Sequence, residues 1–533
     1  MNATKNIAII LLFSASAGFG AVCKMPDSSL LDLGKYTGAS AFYEKGIYGQ
    51  NVNVANLELY LPDSDPDYAF KFLEGVEYKS YYPSEVAYPS PSIHPAQTLS
   101  VMAGYCPDYA DQNISTGLAY KANFTAAQVG EASILGSSDR LVLDTYQKFF
   151  TNSTEVISSS WKDAGTRGHL VGEVLDTYAR QNPTVVFVAA ASNDADEGPG
   201  FVNSPYKNMN VIKVGALDDK TNFSSVASTS SYGPNDFYNP QTKTVIKGVV
   251  SAVDISTAGT VYTLNYNGEL LNISGTSFAA PIVSSVATLM LSYSKESNMP
   301  ASSRDARLVK AILLNSASKL DSWDNGSKMM DSVEVDGKNY SNVLSTSQSL
   351  DYYTGAGALN ASQALKEYEK FGETSFLENV TASDSDFYYF STDSESATLN
   401  ATLCWFVGAQ VGDVTYDTSG NISDLDDALS YFANLDLRLW YEGENGEREL
   451  IAQSVSEYNN VEHLYLTLEK EGNYALEVYF KDLIYGNADS ETYALAWNLS
   501  QVPEPAFFAA ISGLIAAGLC IAKKRRATFS LRK

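Results

Sequence analysis

The chain is poor in histidine, cysteine and basic residues. Its 533 residues include three histidines and four cysteines, and 36 lysines and arginines stand against 62 aspartates and glutamates. The formal charge of −26 argues against nucleic acid as a partner and favours a soluble surface outside the cytoplasm. No spacing of cysteine and histidine is typical of a zinc site. A general base of the histidine type must therefore be His94, His169 or His463.

The cysteines give little sign of a disulfide framework. Cys404 lies in the distal part of the chain and Cys520 in an apolar C-terminal run, so Cys23 and Cys106 form the single pair available within one predicted domain. The sequence leaves this pairing open.

A serine stands at the start of an apolar run in the string Ser274-Gly275-Thr276-Ser277-Phe278-Ala279-Ala280-Pro281. Gly275 permits a sharp turn, and Ser277 would begin a helix that reaches Leu291. Backbone N–H groups at a helix start lack intrahelical partners and can point at a developing negative charge. We expect Pro281 in the first turn, where its missing N–H costs little. The alternative is a buried helix whose serines are merely solvated.

Two further segments carry side chains suited to acyl transfer. His94 precedes a proline, which suits a helix start, and its segment closes with Ala103-Gly104. His169 lies in a polar, glycine-containing stretch and His463 in a distal strand-like run, so His94 is the preferred base. The apolar run from Pro183 to Ala191 predicts a buried strand ending at Asn193, whose amide can donate a hydrogen bond without carrying charge.

These segments resemble the subtilisin-like serine proteases, or subtilases, over about residues 50–370. The order carboxylate, histidine, asparagine, serine is that of the family. The resemblance implies that Ser277 is the nucleophile, that His94 is general base and then acid, and that Asn193 and the Ser277 N–H form the oxyanion hole. The segment from Val156 resembles the strand that lines the substrate cleft. By the same analogy Trp161 and Asp194 border that cleft.

The third member of the triad departs from the family pattern. The strand-like stretch from Val52 to Leu59 places Glu58 where subtilases have aspartate. An ionised glutamate can still accept the imidazole N–H and fix its tautomer. The alternatives are three aspartates in a turn-like run, namely Asp63, Asp65 and Asp67. We expect Glu58 to fill the role. The chemistry needs no cofactor, the metal ligands are unknown, and structural calcium is an open possibility.

Two domains are predicted between the ends of the chain. Residues 24–372 alternate strand-like and helix-like runs, which predicts an α/β fold with a subtilisin-like parallel sheet and helices on both faces. Helix candidates include Leu170 to Arg180 and Arg304 to Ser316. Residues 376–500 alternate apolar and polar residues between polar turns, which predicts a small β-sandwich accessory domain.

Both ends read as sorting signals. Residues 1–20 have the basic start, apolar core and small-residue site of a secretory signal peptide. Residues 502–526 join a Pro-Glu-Pro motif, an apolar run and four basic residues, and resemble the PEP-CTERM signal of Gram-negative bacteria. This implies exosortase-type sorting machinery as a partner and membrane attachment before processing. The expected location is the cell envelope, the cell surface or the medium.

The expected function is therefore that of a secreted or surface-sorted serine endopeptidase acting on protein or peptide substrates. The departures at Glu58, Pro95, Thr98 and Ser192 support an alternative, a subtilase-fold surface binding protein with weak or no activity. A second alternative is a sedolisin-type enzyme, which uses Glu and Asp in place of histidine. The presence of His94 at the family position argues against it.

Overall fold

A computed structural model of the chain describes residues 32–62, 73, 76–81, 91–104, 117–129, 138–151, 153–162, 168–203, 207–264, 270–393, 396–443 and 446–501. Cys23, Cys106, Asp63, Asp65 and Asp67 lie outside the described residues, as do both predicted sorting signals.

The first part of the chain alternates strands and helices. Its elements are α1 (Leu33–Thr37), α2 (Ser40–Tyr43), β1 (Asn53–Glu58), β2 (Leu61–Pro62), β3 (Tyr78–Tyr81), β4 (Pro91–Ser92), α3 (Ile93–Ala103), β5 (Asn123–Gln128), α4 (Asp139–Thr151), β6 (Val156–Ser159), α5 (Gly168–Gln181), β7 (Val186–Ala190), β8 (Ile212–Leu217), β9 (Asn235–Asn239), β10 (Thr244–Val250), β11 (Ile255–Ala258), β12 (Thr260–Leu264), β13 (Leu270–Ser274), α6 (Thr276–Glu296), α7 (Ala306–Asn315), β14 (Lys328–Met330), β15 (Val333–Val335), β16 (Lys338–Tyr340), β17 (Val343–Thr346) and α8 (Ala361–Tyr368).

Seven of these strands form one parallel sheet in the order β11-β8-β7-β6-β1-β5-β3. Side chains alternate across it, as the strand period of two requires. In β7, Val186 and Val188 join the apolar cluster that contains α3 and α6 residues, while Phe187 and Ala189 join the cluster of α4 and α5. The predicted α/β fold with a subtilisin-like parallel sheet covered on both faces is therefore confirmed.

Helix α6 is the central element of the first core. It is buried from Phe278 to Ser292, and its buried hydroxyl groups are satisfied locally because Ser284, Ser285 and Thr288 each donate to the carbonyl four residues earlier. Among the described helices, α6 alone has the length and composition of a membrane span, but 89% of its most apolar stretch is buried inside the protein.

The second part of the chain consists of strands. They are β18 (Ser375–Thr381), β19 (Ser385–Thr392), β20 (Ala397–Trp405), β21 (Val414–Tyr416), β22 (Ile422–Leu425), β23 (Phe432–Glu442), β24 (Arg448–Ser454), β25 (Val461–Leu468), β26 (Gly472–Tyr485) and β27 (Ser490–Gln501).

These strands form two main sheets with an apolar core between them. One sheet has the order β14-β17-β24-β23-β26-β19 and the other the order β18-β27-β20-β25. Leu403 and Leu495 from the second sheet share a buried cluster with Leu437 and Leu476 from the first. The sequence predicts a small β-sandwich over residues 376–500; in the structure β14 and β17, which precede residue 372, extend the larger of its two sheets.

The two parts of the chain share a core as well. Cys404, Phe406, Ala494 and Ala496 belong to the same buried cluster as α6 and α7. Arg307 of α7 donates to the Thr492 carbonyl at 3.2 Å. Cys404 is a free cysteine, and burial raises the pKa of its thiol to about 12. The strand-rich region therefore completes the packing of the helices that cover the parallel sheet.

Candidate active site

Glu58 is the last residue of β1, at the carboxyl edge of the parallel sheet. β1 pairs with β5 on one side and β6 on the other, so it is a central strand, and crevices outside the carboxyl ends of such strands are common ligand sites. Glu58 is only 1% exposed. A buried carboxylate needs partners, and α3 supplies them.

His94 lies in the first turn of α3, against Glu58. The pairing of Leu61–Pro62 with Pro91–Ser92 holds the start of α3 near the end of β1. The Nδ1 atom of His94 is 3.6 Å from Oε2 of Glu58, and the two side chains are 39% and 2% exposed. The distance is that of an ion pair, so the structure brings together the predicted base and the predicted carboxylate.

Thr98 binds the other oxygen of the carboxylate. Its hydroxyl group donates to Oε1 of Glu58 at 2.9 Å, and the amide of Asn56 donates to Thr98 Oγ1 at 3.3 Å. Thr98 follows His94 by four residues, so both side chains lie on one face of α3. In the sequence, Thr98 stands out only as a departure from the subtilase pattern; its spacing of four residues from His94 is the signal that points to a shared helix face.

The surroundings of His94 act on its pKa in opposite directions. Burial lowers the pKa of the imidazole, while the contact with Glu58 and its negative charge raise that pKa more, so the net shift is upward. A negative charge fixed beside Nδ1 favours the imidazolium form. The arrangement therefore suits a base that must hold a proton for part of a reaction.

Ser277 is the second residue of α6 and is half-buried. Gly275, the residue before the helix, has φ of +158°, and its N–H donates to the Gly259 carbonyl at 2.9 Å. The ring of Phe278, the next residue after Ser277, lies 5.9 Å from the ring of His94. The start of α6 therefore adjoins the start of α3.

The sequence predicts Pro281 in the first turn of α6, but the structure places it in the second. Helix α6 begins at Thr276, which makes Pro281 its sixth residue. A residue there with an N–H would donate to the Ser277 carbonyl, four residues back. Because proline has no N–H, that carbonyl accepts instead from the hydroxyl of Ser160, at 2.8 Å.

Asn193 follows β7 and is exposed. Its Oδ1 accepts hydrogen bonds from the backbone N–H of Thr276 at 2.9 Å and from the Thr276 hydroxyl at 3.1 Å. Since both partners donate, Oδ1 faces Thr276 and the Nδ2 group is left to donate elsewhere. The Ser277 N–H is the next donor of the same helix turn. Two donors, one side-chain and one backbone, therefore adjoin the candidate nucleophile.

Ser192, a departure from the subtilase pattern, has a backbone conformation that favours glycine. Its φ is +93°, a value that costs a non-glycine residue about 1–3 kcal/mol. Its hydroxyl donates to Oδ1 of Asn203 at 2.9 Å, and its carbonyl accepts from the Ser231 N–H at 3.0 Å. These bonds hold the turn that carries Asn193.

The resemblance places both Trp161 and Asp194 at the substrate cleft, but in the structure their surroundings differ from each other. Trp161 is buried, with its ring 6.3 Å from that of Tyr146. The carboxylate of Asp194 is partly exposed and 2.5 Å from Nζ of Lys162. This ion pair connects the end of the β6 segment with the turn that carries Asn193.

The other histidines lie apart from these groups. The ring of His169 lies 4.4 Å from that of Tyr238 and is tilted by 49° to it, and burial, aided by the charge of Lys207, lowers the pKa of His169. His463 is fully buried, with Nδ1 2.8 Å from the Thr402 hydroxyl, and burial lowers its pKa strongly. Within the part of the chain that the structure describes, no cluster of three or more His, Cys, Asp or Glu side chains could hold a metal ion.

Comparisons with known proteins bear on this site. Residues 100–357 match the family model Peptidase_S8, the subtilase family; this stretch contains Asn193 and Ser277 and begins after Glu58 and His94. The subtilase-type proteinase RRT12 of Saccharomyces cerevisiae (strain ATCC 204508 / S288c) is 23% identical over 266 residues, 49% of this chain and 47% of that protein. The chain thus matches about half the length of this curated relative.

Similar solved structures include the prenylagaramide maturation protease PagA, which is 20% identical with a TM-score of 0.42, over 62% of this chain and 98% of that one. The self-cleaved protease domain of PatA is also 20% identical with a TM-score of 0.42, over 61% of this chain and 98% of that one.

Proposed function

We propose that this chain, in which residues 100–357 match the subtilase family, is a serine endopeptidase whose triad is Ser277, His94 and Glu58. The family match and the fold support peptidase chemistry at the family level. The observation that carries the assignment is the contact between His94 and Glu58, whose Nδ1 and Oε2 atoms are 3.6 Å apart. It lies at the edge of the sheet where α6 begins. The other two histidines contact Tyr238 and Thr402 instead.

In this proposal the Ser277 hydroxyl attacks the scissile carbonyl while Nε2 of His94 takes its proton. Glu58 accepts the Nδ1–H and stabilises the imidazolium. The oxyanion accepts hydrogen bonds from Asn193 Nδ2 and the Ser277 N–H. His94 then protonates the leaving amine, and water, deprotonated by the same imidazole, hydrolyses the acyl-enzyme. The chemistry uses side chains and backbone of this chain and needs no cofactor.

The test is labelling of the purified protein with a fluorophosphonate probe, together with hydrolysis of a casein substrate. We expect rapid labelling that is abolished in Ser277→Ala and retained in Ser297→Ala, which removes an exposed serine at the far end of the same helix. Slow labelling of the parent protein, equal to that of Ser277→Ala, would instead favour the inactive surface binding protein.

We also propose that the enzyme is exported and sorted through its ends. Residues 1–20 act as a signal peptide, and residues 502–526 are recognised by exosortase-type machinery that attaches the chain to the membrane before processing. A chain ending at Gln501 should be released in soluble form with full activity on a small peptide. If the full chain and the chain ending at Gln501 were found in the membrane fraction to the same extent, the sorting role would be contradicted.

A further inference from the structure

A cavity of about 230 Å³ lies between the parallel-sheet domain and the strand-rich region. One wall consists of α5, Val202, residues 207–213 and the β9–β10 hairpin. The opposite wall comes from the strand-rich region, with Val407, Ala409, Val461 and Tyr485. None of the proposed triad residues lines it. The space exceeds the ~150 Å³ of an apolar cavity that accommodates benzene.

Two buried polar side chains line this cavity. Glu173 and Asn208 are 9% and 7% exposed. Among the described residues, no hydrogen bond of normal geometry reaches either carboxylate oxygen of Glu173 or either polar side-chain atom of Asn208, although the Ser430 hydroxyl is close enough to Glu173 to affect its pKa. Buried polar groups in proteins are almost always paired. A carboxylate and an amide on the wall of one cavity therefore offer polar contacts to a ligand held there.

The other carboxylates along the cavity have partners. Asp176 accepts from the backbone N–H groups of Met209 and Asn210, the latter at 2.7 Å. Asp254 lies 2.8 Å from Nζ of Lys310, and Asp236 lies 2.8 Å from Nζ of Lys247. Lys207, Lys213 and Lys247 also line the cavity, but Lys213 interacts with Asp176 and Asp254 and Lys247 pairs with Asp236, which leaves Glu173 as the lining carboxylate for which no ion pair is found among the described residues.

Burial, together with the negative charges of Asp427 and Asp176, raises the pKa of the Glu173 carboxyl to about 8, while the Ser430 hydroxyl acts to lower it. Near neutral pH the carboxyl therefore largely holds a proton, which a bound cation would displace. The aromatic residues Phe237, Tyr238 and Tyr485 line the same cavity. Aromatic faces attract cations, most strongly in desolvated sites.

We propose that this cavity binds a small organic cation, an ammonium group on an apolar body. Glu173 and the Asn208 carbonyl accept its N–H groups, while the aromatic rings and the valine side chains enclose the remainder. A divalent metal ion fits less well, because it needs six or more oxygen ligands and most of this wall is apolar. The combination of apolar walls with a few convergent polar groups is typical of small-molecule sites.

The test uses benzylamine as the probe and its neutral counterpart, benzyl alcohol, with the full chain in a calorimetric titration. We expect one benzylamine per chain and binding of the alcohol that is weaker by about ten-fold or more, since the charge-assisted contact is lost. Glu173→Gln should weaken benzylamine binding by a similar factor. Glu373→Gln, an exposed carboxylate elsewhere, should leave it unchanged.

Asn208→Ala is the second variant. If Glu173→Gln does not fold, the benzylamine affinity of Asn208→Ala tests the proposal. Weaker benzylamine binding in the folded variants, with an unaffected Glu373→Gln control, would support the proposal. Equal binding of benzyl alcohol, unchanged binding in the folded variants, or displacement of benzylamine by Ca²⁺ would overturn it. Because the readout is binding, the result is independent of whether Ser277 is a nucleophile.

Discussion

The hydroxyl group of Thr98 donates a 2.9 Å hydrogen bond to Oε1 of Glu58. One turn of α3 therefore carries both His94 and the group that fixes the carboxylate beside it. Glutamate is one methylene longer than the aspartate usual at this position, and a longer side chain has more rotamers to restrict. We interpret Thr98 as a positioning residue that holds the longer acid in place.

Thr98→Val should lower kcat/KM by about ten-fold, the effect of one hydrogen bond to a charged group. Valine keeps the shape and removes the donor, so Glu58 holds His94 less well and the acid limb of the pH–rate profile moves to lower pH. Thr98→Ser should restore both. An unchanged profile in Thr98→Val, with activity lost through misfolding alone, would contradict a positioning role.

Glu58→Gln should reduce turnover by about 10⁴-fold, as loss of a triad carboxylate does. His94 must be neutral to act as base, so activity falls as the pH drops through its pKa. Since Glu58 raises that pKa against the effect of burial, the residual activity of Glu58→Gln should persist to lower pH than that of the parent.

Glu58→Asp is the matched control for this change, because it keeps the charge and should lose less activity. The measurement is kcat/KM on a peptide substrate as a function of pH. A fully active Glu58→Gln with the parental pH profile would exclude Glu58 from the triad.

Asn193→Ala should lower kcat by about 10²–10³-fold with little change in KM, the magnitude typical of one oxyanion donor. The amide interacts with charge that develops in the transition state, so ground-state binding is spared. Steady-state kinetics distinguishes this from a structural role, which would raise KM or lower thermal stability. Asn203→Ala, which removes the partner of Ser192, tests the turn separately.

Ser160→Ala should destabilise the protein by about 1 kcal/mol, because the Ser277 carbonyl loses its donor. In a Pro281→Ala background the backbone N–H restored at position 281 can donate to that carbonyl, so the same change should cost less. Urea denaturation of the four proteins gives the coupling free energy. Additive effects would mean that the Ser160 bond does not replace a helical one.

Local patterns were enough to predict several parts of the site. The turn at Gly275 and the apolar run after it predict that Ser277 lies at a helix start. The apolar run before Asn193 predicts that this residue follows a buried strand. Both predictions succeed because each signal lies within a few residues of the side chain concerned. The nearness of Glu58 to His94 came from the family resemblance. The helix begins one residue before the predicted start, at Thr276. With 3.6 residues per turn, Pro281 falls in the second turn from either start, so the expectation of a first-turn proline was wrong.

Other features depend on contacts between distant segments and left no local signal. Thr98 binds Glu58 only because α3 packs beside the end of β1, and Ser160 replaces a proline N–H that lies 121 residues further along the chain. The packing of α7 against the distal strands likewise joins residues that are far apart in the sequence. Alternation predicted strands after residue 375, but it carries no information on which earlier strands they join.

Helices α6 and α7 share a core with Cys404, Phe406, Ala494 and Ala496. Their packing is therefore completed only after the distal strands have been synthesised. The ribosome delivers the segments that carry His94 and Ser277 first, yet helices α6 and α7 remain uncovered until the final strands arrive. On the proposed peptidase function, proteolysis would begin only after synthesis has passed residue 496, which would protect the synthesis machinery. A chain ending at residue 372 should accordingly remain unfolded by circular dichroism.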